Sequence, residues 1–185
     1  AWRSGNPPGL LAWLERQGVA LYRSEPRRLA DIDRSIAALA ALAGRSAPTL
    51  PAATPVAPPP SPVTALFLFW DDPPIAAGDD HVLADLLRDC GATPAIGGLP
   101  GKSVVSSLET LLAARPDLVL TTDGRVLAYR DRGDAGERFV PLPVDAMERL
   151  ALQAAQRPGP RLHLARAAVC ARIADGARGR VPFAP

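Results

Sequence analysis

The side chains with chemistry to offer are few. His81 closes the run Gly78, Asp79, Asp80, His81. That grouping would suit a metal ion or an acid/base pair. The same run is also an ordinary helix start, in which a capping side chain accepts orphan amides. His163 falls in the first turn of an arginine-rich helical stretch and reads as a surface residue. Asp71 and Asp72 follow a strand and could do acid/base work, but Pro73 and Pro74 behind them make a rigid turn the simpler role. No nucleophile stands beside a base, and the chain has no GxGxxG, P-loop, GxSxG, HExxH or CxxC motif. A hydrolytic or redox α/β enzyme is therefore kept only as the least favoured alternative. Aromatic residues make up only 5% of the chain, so the crowding of Phe67, Phe69 and Trp70 at the carboxyl end of one strand carries information. In open α/β sheets that edge is where ligands bind. Neighbouring strand residues face opposite sides, which assigns one of Phe67 and Phe69 to the core and leaves Trp70 as the cleft candidate.

The elements that must position these residues follow from periodicity and punctuation. Asn6, Pro7 and Pro8 predict a helix start, and a short helix to Gln17 is stopped by Gly18. Residues 19–22 read as a strand. Leu29, Ile32, Ile36, Leu39 and Leu42 recur at spacings of three and four, a helical stripe that ends at Gly44. Residues 45–62 hold seven prolines and no periodicity, the composition of a semi-rigid spacer. Beyond it, strands and helices alternate. A buried strand at 63–69 precedes a helix capped by Asp79 or Asp80 that runs through Cys90 and ends at Gly91. Ser106 and Glu109 form a capping box opening a helix to Ala114. A strand at 117–121, another at 139–142 and a helix at 144–156 come next. The last helix begins near Pro160 with Leu162, Ala165, Val169 and Ile173 on one face. This alternation predicts an α/β fold with a mostly parallel, doubly wound sheet.

Composition bounds the rest. With 185 residues, 48% of them hydrophobic, the chain can bury a real core in one or two compact units. Lys and Arg total 21 against 19 Asp and Glu, and a net charge of +2 spread along the chain calls for neither nucleic acid nor an acidic membrane. No apolar run approaches the roughly 20 residues that cross a bilayer. Residues 1–10 show no basic start followed by an apolar stretch, so no signal peptide is visible. Residues 1–6 read as a strand end without a partner, and the chain is expected to open in mid-fold.

Six segments carry a resemblance in fixed order: AWRSGNP at 1–7, YRSEP at 22–26, WDDPP at 70–74, LLRDCG at 86–91, SLETLLAARPDLVL at 107–120 and RPGPR at 157–161. Together they make the chain similar to the periplasmic cobalamin-binding proteins of ABC importers, relatives of the haem- and siderophore-binding proteins. The start of the chain and its two cysteines point more narrowly to cobalamin. The resemblance implies a monomeric, exported, non-catalytic protein of two Rossmann-like lobes joined by a long helix, with the corrinoid as cargo between them and no resident cofactor. Acidic surface residues would dock to arginines of the permease. It divides the chain into a remainder of the amino-terminal lobe with the start of the linking helix at 1–44, a proline-rich linker at 45–62, and a carboxy-terminal lobe at 63–185, so that the first lobe is incomplete. Residue by residue, Trp2 falls at a pocket tryptophan of the first lobe, Phe69 and Trp70 at the second lobe's aromatic, and Arg157 at an arginine near the ligand. Glu109 falls at the docking glutamate and Cys90 with Cys170 at a cystine. Ser103 stands where some members place a pocket tryptophan, Gln156 replaces a glutamate, and the linking helix gives way to prolines. A haem or iron-siderophore binder of the same class is the alternative.

Overall fold

Residues 64–71 alternate between two faces, and both faces are apolar. Val63, Ala65 and Phe67 point to one side and Leu66 and Leu68 to the other, each less than a tenth exposed. Such a segment is stable only between two layers, and it becomes the central strand β1 (Thr64–Asp71). The computed structural model describes residues 6–49, 56–131, 137–155 and 157–178. Trp2 and Gln156 lie outside the described residues.

Before β1 come two helices, α1 (Pro8–Arg16) and α2 (Leu29–Leu42). After it follow β2 (Pro74–Ala77), α3 (Val82–Asp89), β3 (Thr93–Pro94), β4 (Ser103–Val105), α4 (Leu108–Ala113), β5 (Leu118–Thr121), β6 (Val126–Asp131), β7 (Glu137–Pro141), α5 (Ala146–Ala154) and α6 (Arg161–Ala177). One edge of β1 pairs in parallel with β5, from Ala65 opposite Leu118 to Leu68 opposite Thr121. The other edge is shared by β3, parallel at Thr64 and Ala65, and β2, antiparallel from Leu68 to Asp71. The strand order is β4, β2, β1, β5, β6, β7. The α/β fold is thus as expected, but the sheet is mixed and not mostly parallel: β1 pairs in parallel with β3 and β5, and the other four pairings, β1–β2, β2–β4, β5–β6 and β6–β7, are antiparallel.

Helices cover both faces. On one side α3, α5 and α6 share a core with Ala65, Phe67, Leu118 and Leu120, and Leu162, Ala165, Val169 and Ile173 of α6 are fully buried there as their spacing predicts. Ile32 of α2 enters the same core. On the other side Leu111 of α4 packs with Leu66, Leu68, Ala76, Ile96 and Val119. The α2 stripe is buried only in its first half, Leu39 and Leu42 being exposed. Its amino end is fixed by α3, where Asp85 accepts from Leu29 N at 2.9 Å and pairs with Arg28 at 2.9 Å. His163, expected at the surface, is mostly buried and meets Asp33 of α2 at 2.7 Å.

Several local expectations shift. The expected strand at 19–22 does not form: Val19 N bonds to Leu14 O and Gly18 N to Glu15 O, a Schellman ending that uses these amides to close α1. His81, not Asp79 or Asp80, caps α3, because Asp79 pairs with Arg88 and Asp80 lies 3.6 Å from Arg27. Ser107, not Ser106, caps α4; Ser106 N still donates to Pro74 O at 2.8 Å, in line with β4 beside β2. Phe67 and Phe69 are two apart and share a face, Phe67 in the core and Phe69 at its margin, so alternation does not separate them. The strands β2, β3, β4 and β6 have no counterpart among the elements expected from sequence. Part of the proline-rich segment lies against the core: Val56 packs on it, and Ser61 Oγ donates to Ala177 O at 2.8 Å. Gly91 has a φ of +80°, and a Cβ there would sit 2.5 Å from Pro59 Cδ, so both the helix ending and this contact need glycine.

Cys90 and Cys170 form a disulfide that ties the end of α3 to the middle of α6 across 80 residues. Closing such a loop stabilises by about 4.5 kcal/mol in the chain-entropy model, with about 2–4 kcal/mol typical of real bridges. Native alkylation followed by intact mass should label neither cysteine. Reduction should then expose two thiols and lower the unfolding free energy in urea by about 2–4 kcal/mol.

Candidate ligand-binding cleft

β1 leaves the core at Phe69, whose ring packs at 4.9 Å and 60° against His81. The next residue, Trp70, is 60% exposed, and its Nε1 donates to Asp72 O at 2.6 Å, fixing the indole over the turn that follows. That turn, Asp71 to Pro74, contains a cis Asp72–Pro73 bond and closes the β1–β2 hairpin. Beside it, β5 ends on the buried pair Thr121 and Thr122 and reverses at Gly124. The φ of Gly124 is +88°, and a Cβ would meet Arg149 Cγ at 2.6 Å.

A charged bridge joins the two strand ends. Arg125 donates through Nε to Asp123 at 2.7 Å and reaches Asp71 at 3.1 Å. Thr121 Oγ1 also donates to Asp123 and accepts from Arg125 N at 2.8 Å. Burial alone would raise the Asp123 carboxyl, but the bonds from Thr121 and Arg125 outweigh it and hold the group below the usual range. Arg125 is correspondingly raised, first by its bond to Asp71. The strand ends and this bridge line a cavity of about 450 Å³ whose walls include Trp70, Phe69 and Thr122.

A second, more apolar groove of about 790 Å³ lies between α5 and the start of α6. Met147, Leu150, Ala151 and Ala154 form its wall, with Arg157 and Arg161 beside them. Asp123 lines both spaces, and Gln153 Nε2 donates to Asp123 O at 3.2 Å where they adjoin. The largely buried pair of Arg172 and Glu148, with Nε to Oε1 at 2.7 Å, sets α5 against α6 and so shapes this groove.

Of the residues singled out in the sequence, Trp70 and Phe69 line the first cavity and Arg157 the second. Trp70 is the open one, Phe69 being turned to His81 and the core. Glu109 sits exposed in the first turn of α4, lining neither space, where the Ser107 hydroxyl and its own backbone amide draw its carboxyl below the usual range. Cys90 and Cys170 belong to the core. Thr121, Asp123, Arg125, Met147, Leu150 and Arg161 join the site without having been singled out by sequence reasoning. The Asp123-Gly124 pair was an available hairpin signal, whereas nothing in the sequence marks α5's outward apolar residues. The role of His81 is structural, its Nδ1 accepting from Leu83 N at 3.1 Å.

These features define the class first: a mixed α/β fold whose cleft opens at the carboxyl ends of its central parallel strands. No protein-family model matches the chain, and no curated protein is a significant match. Among solved structures, the chain is similar to the periplasmic vitamin B12-binding protein BtuF of Vibrio cholerae, with a TM-score of 0.60 and 18% identity over 95% of this chain and 73% of that one. It is similar to the periplasmic haem-binding protein BhuT, solved with two haems, with a TM-score of 0.56 and 20% identity over 96% of this chain and 74% of that one. The haem-binding protein RhuT from Roseiflexus sp. RS-1 gives a TM-score of 0.55 and 18% identity over 95% and 74%. The chain shares the fold of these periplasmic binding proteins. Among the described residues no helix is long and apolar enough to cross a membrane.

Burial and then the nearby Lys102 push His81 down to about 4. The folded-state value lies below the ordinary 6.5, so the unfolded chain takes up the proton first as pH falls. Stability tied to His81 is therefore full above about pH 6.5 and is lost as pH drops towards 4, by on the order of 3 kcal/mol. Urea unfolding at pH 7 and pH 4.5 should show this loss, and His81→Asn, which retains a capping side chain, should flatten it.

Proposed function

We propose that the protein is a non-catalytic periplasmic substrate-binding protein that captures cobalamin and delivers it to the permease of an ABC importer. One observation carries this reading: an open tryptophan face at the carboxyl edge of the central strands adjoins an apolar groove with guanidinium groups beside it. A corrin is a broad, largely apolar plate edged with amides, and a site for it needs flat aromatic surface with a few polar groups at the margin. Trp70 offers the surface, Phe69 backs it, and Arg157 suits the margin, where its planar fork can donate to amide or phosphate oxygens. By the family resemblance, Trp2 would supply a further aromatic surface to the ligand. The shared fold with proteins named for vitamin B12 and haem supports the class of ligand. Glu109, exposed on α4 away from the cleft, would offer its carboxylate to a permease arginine as a charge-assisted pair.

Titration with cyanocobalamin, followed by tryptophan quenching or calorimetry, tests the ligand. Trp70→Ala should weaken binding by about ten-fold or more, as loss of a central aromatic does. Unchanged affinity would make Trp70 structural, and a protein that ignores cyanocobalamin but takes up haemin would move the reading to the haem-binding alternative. Glu109→Gln should leave ligand affinity intact and slow uptake by cells carrying the permease; equal uptake rates would remove the docking role.

A further inference from the structure

We propose, building on the cleft reading above, that the groove between α5 and α6 is a subsite for the acidic edge of an amphiphilic ligand, with Arg161 as a binding residue beside Arg157. The wall is unusual for a surface: Met147 is 75% and Leu150 60% exposed, on the face of α5 opposite the buried Leu152. Two large apolar side chains left open beside a concavity mark a place where something apolar lies. Arg157 and Arg161, both exposed, line the same groove four residues apart.

Among the described residues their charges are uncompensated. Arg88, Arg125, Arg166 and Arg172 each find a carboxylate in this structure. Among the described residues no acidic side chain pairs with Arg157 or Arg161. The one acid in the groove, Asp123, is already engaged by Thr121 and Arg125. Two like charges held at one apolar concavity favour an anion that bridges them, and a guanidinium fork binds either carboxylate or phosphate in two-point fashion. The ligand class is therefore a flat, mainly apolar molecule bearing a carboxylate or a phosphodiester at one edge.

The experiment compares anionic and neutral probes on the full chain. Arg161→Gln should weaken binding of 8-anilinonaphthalene-1-sulfonate about ten-fold and leave the uncharged N-phenyl-1-naphthylamine unchanged. The difference should shrink in high salt. Arg16→Gln, an exposed arginine outside the groove, serves as the control and should change neither. With tetrapyrrole ligands the source of the anion separates: a phosphodiester requires that Arg161→Gln weaken cyanocobalamin but not dicyanocobinamide, which lacks it, and carboxylates require that it weaken haemin. If Arg161→Gln binds the charged probe as the parent does, if Arg16→Gln weakens it equally, or if neither probe binds the parent, the subsite is refuted. A loss of charged-probe binding in Arg161→Gln together with no effect of Trp70→Ala on cyanocobalamin would leave the subsite standing and remove the cleft reading.

Discussion

The whole arrangement depends on β1 being apolar on both faces. A strand of that kind cannot sit at an edge or face water, so helices must be recruited to each side and other strands to each flank. Phe67, fully buried, anchors one layer, and Leu66 with Leu68 anchors the other. Removing a side chain such as Phe67 would forfeit about 3–5 kcal/mol, a large share of what holds a domain of this size together. The cleft follows from the same constraint. Where β1 stops being two-sided, at Phe69, the chain leaves the interior, and Trp70 emerges at the point where the neighbouring β5 also ends.

Polar interactions then place what the core has brought together. Most are exposed ion pairs, each worth only about 0–1 kcal/mol, and their value here is geometric. Arg125 links the β1–β2 turn to the β5–β6 turn through Asp71 and Asp123, so the tryptophan wall and the cavity floor share one fixed relation. Asp85 accepts the Leu29 amide at the start of α2, fastening that helix to α3, while Asp31 of α2 itself takes the amides of Arg27 and Arg28. Arg172 and Glu148, both largely shielded, form the better-buried version of the same device between α5 and α6, where Arg172 also reaches Pro143 O at 3.0 Å.

Helices were legible where periodicity and a stop signal agreed. The stripes of α2 and α6 and the glycine endings at Gly18, Gly44 and Gly91 were all readable because they are local. Short strands were not, since β2, β3 and β4 hold two to four residues each and exist only because a neighbouring edge offers partners. The caps lie one or two positions from where local chemistry puts them for the same reason: the Asp79 carboxylate is paired with Arg88, and the backbone amide of Ser106 is tied to Pro74 O beside β2. Trp70 could be placed from sequence because a strand's end can be read. Arg125 and the groove residues could not, because their meaning comes from helices and turns brought side by side from distant parts of the chain.

The cystine divides the molecule by how far it can be drawn out. A pull on the two ends can lengthen the flanking segments, which include β1 and α2, but the 80-residue stretch between Cys90 and Cys170 stays short-circuited. About 280 Å of contour is thereby withheld from extension. Trp70 lies on the extensible side, whereas Thr121, Arg125, Arg157 and Arg161 lie within the locked loop. Under load the cleft would come apart along the line between β1 and β5, giving up its aromatic wall first while the arginine side kept its cross-link.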